Sequence, residues 1–220
     1  MRADETRAAG HDRPHAAYPT QPIFVTFEGL DGSGKSTQAD LLRAFLAERG
    51  DDVVLTREPG GTPLGEGIRA LLLRGPGMTA QAEAALFAAA RAELAETVIR
   101  PALDRGAHVV CDRYLDSSLA YQGIARGLGV EPVLALNVLL IGDLLPDRTF
   151  VLDLDQAEAA RRLPRATDRL EAEGDAFKAA VAAAYVELAE RFPERISRLD
   201  GSRPAEELAK IVREELLLDV

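Results

Sequence analysis

An α/β fold is predicted: a five-stranded parallel sheet between two layers of helices, with a small lid. Three observations predict it. Short apolar runs alternate with helix-patterned segments, one such run passes through a glycine-rich loop straight into a helix, and charged residues gather where the apolar runs end. In open α/β sheets the carboxyl ends of strands are where ligands collect.

The first unit is the most informative. Ile23–Phe27 is an apolar, β-branched and aromatic run of buried-strand length, and from Lys35 the pattern turns helical, with Ala39, Leu42 and Leu46 on one stripe. Between them, "GLDGSGKS" from Gly29 to Ser36 has the spacing G-x-x-x-x-G-K-[ST]. In such a phosphate loop the backbone donors of Gly29, Leu30, Asp31, Gly32, Ser33 and Gly34 surround phosphate, Lys35 reaches it, and Ser36, followed by Thr37, supports Mg²⁺. The chain has only three lysines, Lys35, Lys178 and Lys210, so Lys35 does not sit there by abundance. The setting defines a P-loop NTPase fold.

Val53–Thr56 supplies a short second strand, Pro59, Gly60 and Gly61 punctuate a loop, and Ile68, Leu71 and Leu72 return to helical spacing. Gln81–Ile99 reads as an Ala-rich helix with Leu86, Ala90, Leu94 and Val98 near one face and Pro101 beyond its end. Phe87 and Arg91 are four apart on it and share a face. Either the ring packs in the core and the guanidinium is solvated, or the two line a cleft in which a planar ligand meets the ring and offers a polar edge to the arginine.

Val109–Cys111 is an internal strand ending at Asp112 and Arg113. Asp112 and Arg113 are either a turn cap and a surface arginine, or an acidic residue that orients Mg²⁺ and a clamp for an acceptor phosphate. Cys111 is a small buried hydrophobe. Thr149–Leu154 and Arg195–Leu199 complete the sheet, separated by a helix over Asp175–Phe192 and followed by a turn and a final helix in "DGSRPAEELAKIVREEL".

A charged segment, "ARRLPRATDRLEAEGD", carries Arg161, Arg162, Arg165 and Arg169. It is either a surface helix with ordinary ion pairs or a lid, spanning about 158–174, that delivers an arginine to a phosphoryl group and excludes water. The phosphate loop itself contains no arginine, so the second reading gives this segment a task. Residues 1–21 are rich in charge, Ala, Gly and Pro and read as a flexible extension; 22–220 form one domain.

Composition narrows the partners. A net charge of -10, with arginine supplying nearly all the cations, argues against a nucleic-acid surface and leaves room for focused anion sites. One cysteine excludes an intrachain disulfide and a cysteine metal cluster. No stretch has the length of a membrane span, so a soluble cytoplasmic protein is expected. A GTP switch requires Asn-Lys-x-Asp, and the only asparagine is Asn137 in "LNVLL". A small-molecule kinase with a phosphate acceptor fits, because an anionic acceptor oxygen needs positioning and charge compensation rather than a strong base.

The ordered set "FEGLDGSGKSTQ", "TREPGGTPLGEGIR", "LFAAARAEL", "CDRYLDSSLAYQG", "TDRLE" and "LDGSRP" resembles the bacterial type of thymidylate kinase over about 23–217. The resemblance implies transfer of the γ-phosphoryl group of ATP to thymidine 5′-monophosphate (dTMP), with Mg²⁺, in a homodimer. It also implies roles: Lys35 and Ser36 at the ATP phosphates and metal, Asp112 at the metal, Asp31 near the acceptor sugar and phosphate. Arg57 and Arg113 would hold the acceptor phosphate, with Glu58 setting that loop. Phe87 would stack on thymine and Arg91 would address its edge. Ser118 and Gln122 would line the base site, and Tyr121 would lie against the deoxyribose. Asp200, Ser202 and Pro204 would contribute to the adenine side. Ser33 replaces the loop arginine of the eukaryotic form, which directs attention to the lid, to Arg165 first and Arg161 next. The alternatives are a related nucleoside or nucleotide kinase with another acceptor, and a nucleotide-binding scaffold without turnover.

Overall fold

The computed structural model describes residues 21–162 and 168–218. The expected extension, apart from Gln21, and the lid residues 163–167, Arg165 among them, lie outside the described residues.

Five strands form one parallel sheet in the order β2-β3-β1-β4-β5: β1 is Phe24–Gly29, β2 Val53–Arg57, β3 His108–Asp112, β4 Arg148–Asp153 and β5 Ile196–Asp200. Each lies within a residue or two of the run the sequence marks. In β1 every residue is buried, as expected of a central strand covered on both faces. Its neighbours are in parallel register, with Phe24 opposite Val109 and Val25 opposite Arg148.

The two-residue strand period sorts β1 between two cores. Val25 and Phe27 point to the face covered by α1 (Lys35–Glu48) and α9 (Ala205–Leu218), where Phe27 stacks on Phe150 with ring centroids 5.7 Å apart. Leu42, Leu46, Leu208 and Val212 complete that layer. Each such buried side chain contributes on the order of 1.5–3 kcal/mol relative to exposure. Phe24 points to the opposite, larger core, against Tyr114 and Leu94, and Thr26 and Glu28 follow it on that side; all three are buried.

The larger core is covered by α3 (Ala80–Leu94), α4 (Arg100–Asp104), α5 (Leu115–Ser118), α6 (Val130–Ile141) and α8 (Asp175–Arg191), with α2 (Pro63–Arg74) packed on α3. The predicted helix over Gln81–Ile99 is an α-helix only to Leu94 and widens to π-helical turns over Ala95–Ile99; a second π-helical stretch, Leu119–Ala125, extends α5. The sequence reading assigns no element to α6, because "VEPVLALNVLLI" is apolar nearly all round and lacks a one-sided stripe. α7 (Gln156–Arg162) leads into the charged segment expected as a lid.

Candidate active site

The phosphate loop is forced into shape by the backbone. Gly29 has φ +133°, and a Cβ there would come within 2.6 Å of the Leu152 carbonyl oxygen on β4, so only glycine lets the loop leave the sheet at this point. Gly34, at φ +100°, caps the start of α1. Residues 31–38 then wall one side of a cavity of about 870 Å³, large for a single-ligand pocket of roughly 300–1,000 Å³. Gly29 and Leu30 stand behind it, and the Leu30 carbonyl accepts from Lys35 Nζ at 2.7 Å.

Lys35 is buried, with Nζ 3.6 Å from Asp31. Burial, and after it the charge of Arg113, lowers its pKa to about 8. Asp31 accepts from Arg113 Nη2 at 2.6 Å. Burial works against its charged form, but Arg113 and Lys35 outweigh it and hold the carboxyl well below the usual range. Ser36 Oγ donates to Asp112 Oδ2, so a hydroxyl and a carboxylate meet at the first turn of α1 and the end of β3. These are hard oxygen donors, the kind that suits Mg²⁺ held jointly by protein and phosphates. Among the described residues no group of three or more His, Cys, Asp or Glu is placed to hold a metal ion.

Arg113 follows β3 with φ +70°, unusual for a residue with a side chain, while its N–H donates to the Phe27 carbonyl at 3.0 Å. Such backbone strain costs on the order of 1–3 kcal/mol and persists where surroundings over-determine it. Here Arg113 Nη1 donates to Ser117 Oγ at 3.1 Å and Tyr185 Oη at 3.2 Å, and its guanidinium lies 5.4 Å from the Tyr121 ring centroid.

Across the cavity stand Arg57, Glu58, Phe87, Tyr121 and Gln122. Arg57 remains half exposed, paired with Glu66 at 2.9 Å. Phe87 lines the cavity and belongs to a buried cluster with Ile68, Leu72 and Ala90. Gln122 Nε2 donates to Glu83 Oε1 at 2.9 Å. Glu83 also receives Arg126 and Arg169; burial alone would raise its pKa, but these donors lower it.

Several residues stand elsewhere than expected. Arg91 is neither solvated nor on the cavity wall: fully buried, it donates to Glu58 at 2.5 Å, Asn137 at 2.6 Å, Ser118 at 3.0 Å and the Tyr114 carbonyl at 2.9 Å. Ser118 is drawn behind the wall with it. A helix pattern cannot show this, because the carboxylate that neutralises Arg91 comes from the loop after β2. Burial raises the Glu58 pKa and Arg91 pulls it back. Arg161 is exposed and tied to Glu158, whereas Arg162 lines the cavity and donates to the Gly201 carbonyl at 3.1 Å. Asp168, Leu170 and Glu171, from the segment expected as a lid, also line the cavity. Ser202 and Pro204 line the cavity; Asp200 does not, its carboxylate accepting instead from Ser202 N at 3.0 Å and Oγ at 2.6 Å. Sequence reasoning missed Ser117, Arg69 and Tyr185, and it named Arg162 in the charged segment without choosing it over Arg165 and Arg161. Ser117 sits in the quoted "DSSLAYQG", but on the Ala-rich α8 Tyr185 has the pattern of an ordinary core residue.

A family profile described as thymidylate kinase matches residues 27–212. Curated relatives include the thymidylate kinase of Bifidobacterium longum, 49% identical over 189 residues, covering 84% of this chain and 92% of that protein. That of Clavibacter michiganensis is 51% identical over 195 residues, covering 87% and 92%. Among solved structures, thymidylate kinase from Ehrlichia chaffeensis superposes with a TM-score of 0.71 at 36% identity, covering 87% of this chain and 99% of that one.

Proposed function

The chain belongs to the thymidylate kinase family, and from that premise we propose that it moves the γ-phosphoryl group of ATP onto the phosphate of dTMP, giving thymidine diphosphate and ADP. The observation that carries the reading is that one cavity joins two different walls. One is a phosphate loop with Lys35, Ser36 and Asp112; the other presents an aromatic ring, a fixed amide and two arginines, the features of a nucleoside monophosphate subsite.

ATP enters along Ser202, Pro204 and Arg162, with its phosphates on the backbone of residues 31–37 and on Lys35. Ser36 and Asp112 would hold Mg²⁺, which neutralises charge on the phosphoryl oxygens when bound. Phe87 stacks on the acceptor base, Gln122 meets its polar edge, and Tyr121 packs against the sugar. Arg57 and Arg113 grip the acceptor phosphate, whose anionic oxygen forms the new O–P bond as the β–γ bridging bond breaks. Arg91 and Ser118 act from behind the wall by holding Glu58 and the segment after Tyr114. The 158–174 segment serves as the lid that excludes water, with Arg162 the described arginine on the wall and Arg165 a further candidate.

We place the enzyme in the cytoplasm as a homodimer, without nucleic-acid partners; among the described residues no helix is long and apolar enough to cross a membrane. An exposed apolar face on α2 and α6 supports self-association. ADP formation measured across the nucleoside monophosphates tests the activity. Preference for dTMP supports it, and preference for unphosphorylated thymidine would make the protein a nucleoside kinase.

A further inference from the structure

Glu28 ends the buried run of β1, immediately before the phosphate loop, and the phosphoryl transfer makes no direct use of it. It is fully buried, yet four donors converge on its carboxylate: Tyr114 N at 2.8 Å and Ser117 N at 3.2 Å on Oε1, Ser117 Oγ at 2.6 Å and Tyr185 Oη at 2.9 Å on Oε2. These come from the turn after β3 and the helix α5 that it opens into, and from α8, far along the chain. Burial, and after it the charge of Asp116, raises the Glu28 pKa, while Arg113 and the donors draw it back.

The polarity of the network follows from donor counting. An ionised carboxylate only accepts, and a hydroxyl has one proton to give. Ser117 and Tyr185 both spend that proton on Glu28, which leaves their oxygens as acceptors. Those two oxygens, 3.1 Å apart, are the ones that receive Arg113 Nη1. Arg113 Nη2 is directed to Asp31.

We propose that Glu28 is a positioning residue for Arg113: it orients the Ser117 and Tyr185 hydroxyls as paired acceptors, which aim the guanidinium at the acceptor phosphate. A glutamine there would donate into the same hydroxyls, reverse their polarity and loosen Arg113 from its strained backbone position. The inference rests on the thymidylate kinase reading, because the acceptor phosphate is what Arg113 is aimed at.

The test is steady-state kinetics with dTMP and ATP for Glu28→Gln, Tyr185→Phe, Arg113→Ala and the Glu28→Gln/Arg113→Ala pair, with thermal melts alongside. Glu28→Gln is expected to lower kcat/KM for dTMP by about tenfold, and Tyr185→Phe by about threefold, as loss of hydrogen bonds to a charged group. The KM for ATP should stay within about twofold, and in the Arg113→Ala background Glu28→Gln should add less than about twofold, because its effect passes through the missing guanidinium. An unchanged kcat/KM in Glu28→Gln, or an equal loss with and without Arg113, overturns the proposal. Should Glu28→Gln fail to fold, Tyr185→Phe decides, since it removes only an oxygen, and an unaffected dTMP kinetic profile then overturns it. A parent enzyme inactive on every monophosphate overturns the kinase reading and this inference together, whereas an active parent with insensitive variants overturns the inference alone.

Discussion

Arg113 donates to Asp31 at 2.6 Å across the base of the cavity, and the same Asp31 lies 3.6 Å from Lys35. One carboxylate therefore carries two cations, which the proposed function assigns one to each phosphate subsite. An entering acceptor phosphate competes with Asp31 for Arg113, while the donor phosphates compete for Lys35. Arg113→Ala is expected to reduce kcat/KM for dTMP by about a hundredfold or more, the scale of about 3 kcal/mol for removing a charge-assisted hydrogen bond from a dry site. The dissociation constant for ATP, measured by calorimetry, should change by less than about threefold. Equal weakening for both nucleotides would make Arg113 a scaffold for the whole cavity.

Lys35 gives the site a pH limit. Its pKa is lowered to about 8 because burial disfavours the ammonium, so in the free enzyme the charge that meets phosphate is lost as pH rises through that value. kcat/KM for ATP should fall above about pH 8, whereas kcat should hold further into alkali, because bound phosphates favour the charged form. The stability sign is opposite. Between the folded value and the unfolded value of about 10.4 the unfolded chain binds the extra proton, so this group makes the fold more stable as pH rises through that window. Lys35→Ala should lose turnover while keeping the fold. A pH profile of kcat/KM that is flat to about pH 10 would overturn the lowered Lys35 pKa, whereas nearly normal turnover in Lys35→Ala would remove Lys35 from the phosphate contact.

Phe87 serves two purposes that one substitution can separate. It belongs to a buried cluster with Ile68, Leu72 and Ala90 and is also part of the cavity wall. Phe87→Ala would confuse a missing stack with a core cavity costing about 3–5 kcal/mol. Phe87→Leu keeps most of the apolar volume and removes the π face. The KM for dTMP should rise about three- to tenfold, matching the roughly 0.5–1.5 kcal/mol of an aromatic pair, with the KM for ATP unchanged. If both constants move together, the ring supports the fold rather than the base.

What the sequence made legible was local, and what it hid was assembled. Gly29 to Ser36 can be read because its spacing alone encodes a loop with a known use of backbone donors. Phe87 and Arg91 could be placed on one helix face, but not told apart: the ring reached the cavity while Arg91 was drawn inward by Glu58, thirty-three residues earlier. Glu28, Ser117 and Tyr185 converge from β1, α5 and α8, and a carboxylate inside an apolar strand gives no periodic signal of its partners. α6 was hidden for the converse reason. With apolar residues on nearly every side, its pattern names no face, and its burial depends on α3 and on the chain after α5.

The exposed side of that same helix leads to a prediction about assembly. Leu139 is 80% exposed, flanked by Val138 and Leu140 at about 40%, with Leu145 just beyond the helix end. On α2, Leu64 and Leu71 are both more than half exposed and seven residues apart, so they share a face. α2 packs on α3, and α3 packs on α6. Scattered surface leucines need no explanation, but an apolar face carried by neighbouring helices marks an interaction surface. If a second copy covers it, a charge at its most exposed point would be buried without a partner in both subunits. Leu139→Asp is therefore expected to shift the protein from dimer to monomer at micromolar concentration in sedimentation velocity, because an unpaired buried charge costs several kcal/mol per subunit. The folded monomer should lose little thermal stability of its own, since Leu139 touches solvent. A wild-type chain that sediments as a monomer would assign the face to something other than self-association.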